Sequence, residues 1–176
     1  MQNRTYAARS RPLHQVIILA GLAGAMAEVV WIAAYCALTP LHGSEVLRGI
    51  AATVAPTIAQ MAWAPILGLL IHFALGIAVA YAFAAVVWKG FSRRRGARAT
   101  LVSAVIALGA IWAFNFSIVL PNWNPEFAGL LPYGVTFASK LLFGAALAVV
   151  FNRVDIAGAT LGADRSKVFA GRPQTF

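Results

Sequence analysis

The sequence predicts an all-α integral membrane protein: a four-helix bundle with both termini inside and a short interfacial helix in the first outer loop. Three observations carry that expectation. Of the 176 residues, 61% are hydrophobic and only 11% are charged, against roughly 25% charged residues in soluble domains. The apolar runs are long enough to cross a bilayer, and the mean hydropathy is +0.78. Finally, apart from Arg48 and Lys140, the 14 Lys and Arg residues gather in three places. Arg4, Arg9 and Arg11 precede the first apolar run, Lys89, Arg93, Arg94, Arg95 and Arg98 fill a mid-chain gap, and Arg153, Arg165, Lys167 and Arg172 follow the last run. Cations on alternate connections are the positive-inside signature of a polytopic chain.

Charge also bounds the partners. A net charge of +9 invites a nucleic-acid reading. The cations flank spans, however, and do not alternate with aromatic residues on a polar face. The expected partner is therefore a lipid bilayer with anionic headgroups, not a nucleic acid. The single cysteine, Cys36, excludes an internal disulfide and a thiol cluster.

Residues 1–13 form a basic cytoplasmic N-terminus, and residues 14–153 the membrane domain. The first span is expected at 14–38, where some 20 apolar residues at about 1.5 Å each cover a hydrocarbon core of about 30 Å. Its apolar run is longer than a signal peptide requires and Glu28 interrupts its middle, so the helix is read as retained. Residues 49–88 carry no charge. Two spans there would put the first two cationic clusters on opposite sides, so one span is expected, at 61–88.

The preceding SEVLRGIAATVAP reads as a helix lying on the membrane surface. Ser44 caps it, Val46, Leu47, Ile50 and Val54 form its apolar face, and Pro56 ends it. The third and fourth spans are expected at 100–120 and 133–152. Between them, Pro121, Pro125 and Pro132 forbid a continuous helix. Trp31, Tyr35, Trp63, Trp123 and Tyr133 mark one interface and Trp88 the other. Residues 154–176 read as a flexible cytoplasmic tail. This set of spans resembles that of small four-helix proteins of bacterial inner membranes. The resemblance implies a cytoplasmic-membrane location and no residue roles.

Three ionisable residues fall inside the spans: Glu28, His72 and Lys140. Small residues recur at four-residue intervals beside each of them. The stripes are Ala20 and Gly24 with Glu28, then Gly68, Gly76, Ala80 and Ala84 with His72, then Thr136, Gly144 and Ala148 with Lys140. Residues four apart share a helix face, and small-residue faces are where membrane helices approach closely. Each ionisable group is therefore expected to face another helix. By depth, Glu28 and His72 lie roughly 16 Å from the outer end of their helices and Lys140 roughly 10 Å. Asn115 lies at comparable depth.

These four are expected to form a buried polar cluster, with Arg48 as a further partner able to dip toward Glu28. An unpaired charge at mid-bilayer costs about 2.5–3.5 kcal/mol on insertion scales, and pairing Glu28 with Lys140 offsets it. The cluster is read either as a structural pair that fixes helix register or as a proton or solute pathway.

Catalytic and cofactor chemistry have little support. Besides Glu28 the acids are Glu45, Glu126, Asp155 and Asp164, all outside the spans, and no nucleophile is paired with a base. A bis-His haem site lacks a second histidine at the depth of His72. Glu28, His72 and His42 offer at most three metal ligands without a spacing motif. The chain is thus expected to be a non-enzymatic structural or accessory subunit of a membrane complex, without metal or cofactor. The competing expectation is a small oligomeric transporter or channel whose path runs by Glu28, His72 and Lys140.

Overall fold

The computed structural model describes residues 12–170, with the side chains of residues 93 and 154–170 outside the description. The basic stretch 1–11 and the end of the tail, 171–176, lie outside the described residues. All regular structure described is helical. Four helices are long and apolar enough to cross a membrane: span 1 (Leu13–Ala37), span 2 (Ala64–Ser92), span 3 (Ala97–Trp123) and span 4 (Tyr133–Arg153). That composition marks the chain as a membrane protein. A helix hydrogen-bonds its own backbone, which hydrocarbon demands.

Span 2 starts later than its apolar run suggests because Pro65 occupies its first turn, where the missing N–H costs nothing. It also runs further, closing with wide π-type turns over Ala84–Ser92. Span 3 likewise outruns the expected Leu120. A wide turn over Asn115–Val119 precedes Pro121, and such turns let the helix absorb a proline that an α-helix rejects. The chain then breaks at Asn124 and restarts at Pro125 as a short helix, Pro125–Leu130. The last helix continues as backbone from Tyr133 to Ala170, across residues expected to be flexible. No proline falls within 154–170; the next is Pro173.

Span 1 packs between spans 2 and 4, span 4 packs between spans 1 and 3, and span 3 meets span 2 along Ala84–Ser92. There Ser92 and Ser103 join through their hydroxyls. The bundle thus has two ends. A basic end carries Ala84–Ser92 and the start of span 3, and a loop end carries the connections 38–63 and 124–132. Buried Val16, Ile17, Phe83, Leu108, Leu147 and Phe151 fill the core toward the basic end. Trp88 belongs to this core and not to an interfacial belt: it is 2% exposed, with its ring 4.7 Å from that of Phe151. The expectation that Trp88 marks the second interface is corrected by that burial.

The first connection holds a loop helix, Gly43–Val54. It begins after His42 without a side-chain cap, so Ser44 lies in the first turn and does not cap it. The backbone carbonyl of Leu47 rests directly on Gly68, one turn into span 2, where any side chain would collide with it. Val46 and Ala51 are buried. Trp123 Nε1 donates to Thr53 O (2.9 Å), and Asn124 Nδ2 donates to Gly49 O (3.2 Å) and Thr53 Oγ1 (3.0 Å). Asn124 also accepts from Phe127 N (3.1 Å), capping the short helix. The loop helix and the short helix are therefore one hydrogen-bonded roof over the loop end.

Candidate polar site in the bundle

The small-residue stripes do bring their ionisable neighbours together. On span 1, Gly21 lies so close to span 2 that a Cβ built on it would stand 2.6 Å from Ile77 Cα. On span 2, a Cβ at Gly76 would stand 2.9 Å from Ala25 Cβ. Gly24 receives the Phe143 ring of span 4. These contacts fix the helix rotations that turn Glu28, His72 and Lys140 toward one another.

Lys140 Nζ straddles the Glu28 carboxylate, 2.6 Å from Oε1 and 2.9 Å from Oε2. Ser139 Oγ stands 3.0 Å from Oε1 and 2.8 Å from Thr136 O. A hydroxyl has one proton, so Ser139 donates to one of these acceptors at a time. His72 Nε2 is 3.8 Å from Oε2 and 3.2 Å from Ala25 O. A carbonyl only accepts, so Nε2 carries a proton and donates it to Ala25. The Glu28 side chain is 4% exposed, against 18% for His72 and 23% for Lys140. The acid is thus sealed while both nitrogen bases keep some surface.

Two expected members stand elsewhere. Asn115 opens the wide turn of span 3 and, among the described residues, makes no side-chain hydrogen bond. Span 3 packs chiefly on span 4, whereas span 1 packs chiefly on spans 2 and 4, which sets Asn115 away from the Glu28 face. Arg48 donates instead to Ala59 O (2.9 Å) and Met61 O (2.7 Å). It secures the 3₁₀ turn Ile58–Gln60 and the residue that follows it against the loop helix, sharing the Met61 carbonyl with Ala64 N (3.1 Å) at the start of span 2.

The residue that joins Glu28 in place of Asn115 is Ser139, which the four-residue stripes miss because it lies one position off them. A hydroxyl beside the only lysine of an apolar span was the available signal. Nearby, Trp112 Nε1 donates to Thr136 Oγ1 (3.0 Å) and Trp31 Nε1 to Val135 O (3.0 Å). Spans 3 and 1 are thereby each tied to the start of span 4.

Chemically, the arrangement is an acid–amine pair with an imidazole at its edge. Toward the basic end, Phe143, Leu147, Phe83, Trp88 and Phe151 are all buried and back the cluster with apolar and aromatic surface. No protein-family model, curated protein or solved structure matches this chain.

Proposed function

We propose that this chain is a non-enzymatic structural or accessory subunit of a membrane complex, held in a bacterial cytoplasmic membrane with both termini in the cytosol. One observation carries the reading: the buried acid and its amine are spent on each other. The Glu28 carboxylate is occupied by Lys140 and Ser139, and a packed aromatic layer separates it from the basic end. A group committed in this way ties helices together, as buried ion pairs do when they set register.

The surface offered to a partner is the loop end, braced by Trp123, Asn124 and Arg48 and bearing Leu38, Trp63 and Trp123 exposed. The basic clusters 4–11, 89–98 and 153–172 favour the cytosolic side and anionic lipid headgroups. The loop helix lies at the opposite face.

The alternative, a small oligomeric transporter or channel using Glu28, His72 and Lys140, draws support from the surface that His72 and Lys140 retain. Purification in mild detergent separates the two. A stoichiometric foreign membrane protein is the expected companion, and a pure homo-oligomer would favour the conduit. For orientation, Arg95→Cys in a Cys36→Ala background is expected to react with an impermeant maleimide only from the cytosolic side.

A further inference from the structure

Glu28 has two nitrogen bases within reach, and only one holds it. Lys140 engages both carboxylate oxygens, whereas His72 Nε2 stops 3.8 Å short and donates to Ala25 O. A neutral imidazole gains little by moving, because it would exchange one hydrogen bond for another. A protonated imidazole gains an ion pair with Oε2 through a small ring rotation, in surroundings where charge pairs are weakly screened.

Imidazole is also the side chain whose ordinary protonation falls between about pH 5 and 8. From these facts we infer that His72 is a proton-binding site whose occupancy ties span 2 to Glu28. The inference rests on reading the cluster as an interhelical lock, and it gives that lock a second setting.

The step balances simply. One proton arrives from water on Nδ1, since Nε2 already carries one, and the cluster passes from neutral to singly positive. No covalent bond other than N–H forms or breaks. The Nε2–H turns from Ala25 O to Glu28 Oε2, and Lys140 then shares the carboxylate. His72 is the more accessible of the two partners, 18% exposed against 4% for Glu28.

The charged groups facing His72 are Glu28 from span 1 and Lys140 from span 4. The loop helix adds Arg48, committed to Ala59 and Met61, and Glu45, exposed in its first turn. One turn from His72, Gly68 carries the Leu47 carbonyl. A change in how span 2 sits against span 1 therefore reaches the roof.

Hydrogen exchange of the full chain in lipid nanodiscs, corrected for the intrinsic pH dependence of exchange, tests this. Between about pH 8 and 5, protection of the peptides spanning 43–54 and 64–76 is expected to rise along a single titration. That titration is lost in His72→Gln and in Glu28→Gln. A pH-independent profile, or a titration that survives His72→Gln, overturns the inference. Should either variant fail to fold, nitrogen NMR of the unaltered protein labelled at histidine decides. An imidazole at position 72 that stays neutral to about pH 5 overturns the inference, and one that protonates together with the change in protection supports it. The lock itself is measured separately, by the energetic coupling of Glu28 to Lys140 at pH 8.

Discussion

Span 1 holds its two neighbours by different physics. Against span 2 it offers glycine and alanine, so that two backbones lie in near contact at Gly21 and Gly76. Against span 4 it offers a carboxylate that meets an amine and a hydroxyl. The first interface depends on the absence of atoms and tolerates no addition. The second depends on matched charge and tolerates replacement only when both partners change together. Lipid explains why both are needed: hydrocarbon gives apolar helices no reason to leave it for one another, so packing and polar contacts must decide association.

The sharpest way to break the comparison is to unmatch the charge. Lys140→Met leaves Glu28 buried and unpaired, and a stranded partner of this kind costs about 3–5 kcal/mol. Thermal or mixed-micelle denaturation should register that loss, or the folded protein should fail to accumulate. Changing both partners, Glu28→Met with Lys140→Met, should recover most of it, since a well-packed apolar replacement of a buried pair is often neutral or better.

Next in size is Gly21→Leu. Its Cβ meets the backbone of Ile77, which cannot rotate away, so an overpacking cost of about 1–3 kcal/mol is expected in the same assay. No second-site change on span 4 should rescue it. That failure is what separates the two interfaces. His72→Gln exchanges the imidazole donor to Ala25 O for an amide donor and should cost no more than about 1 kcal/mol. Asn115→Ala should fall within about 0.5 kcal/mol, as a change away from any named contact does. A larger effect there would return Asn115 to the cluster.

Much of this was legible in the residues. The four spans follow from apolar length, and the facing of Glu28, His72 and Lys140 follows from small residues repeating every four positions. Both signals are local and periodic. Other features depend on partners distant in sequence. Trp88 reads as a belt residue until Phe151 is seen to pack against it. Ser139 lies one position off the stripe, so helix periodicity hides it, although Lys140 beside it brings it to Glu28. Arg48 reads as a partner able to dip toward Glu28 until the carbonyls of Ala59 and Met61 come back to meet it. Element ends were the other gap. Pro65 delays span 2, while a wide turn lets span 3 pass Pro121, and neither effect registers in hydropathy.

A double-mutant cycle at Glu28 and Lys140, run at pH 8 with Glu28→Gln and Lys140→Met, tests the lock most directly. Groups in direct contact couple by about 0.5–3 kcal/mol, and the bidentate geometry here predicts a value in the upper part of that range. Effects that add to within about 0.3–0.5 kcal/mol would mean that the carboxylate and the amine do not hold spans 1 and 4 together.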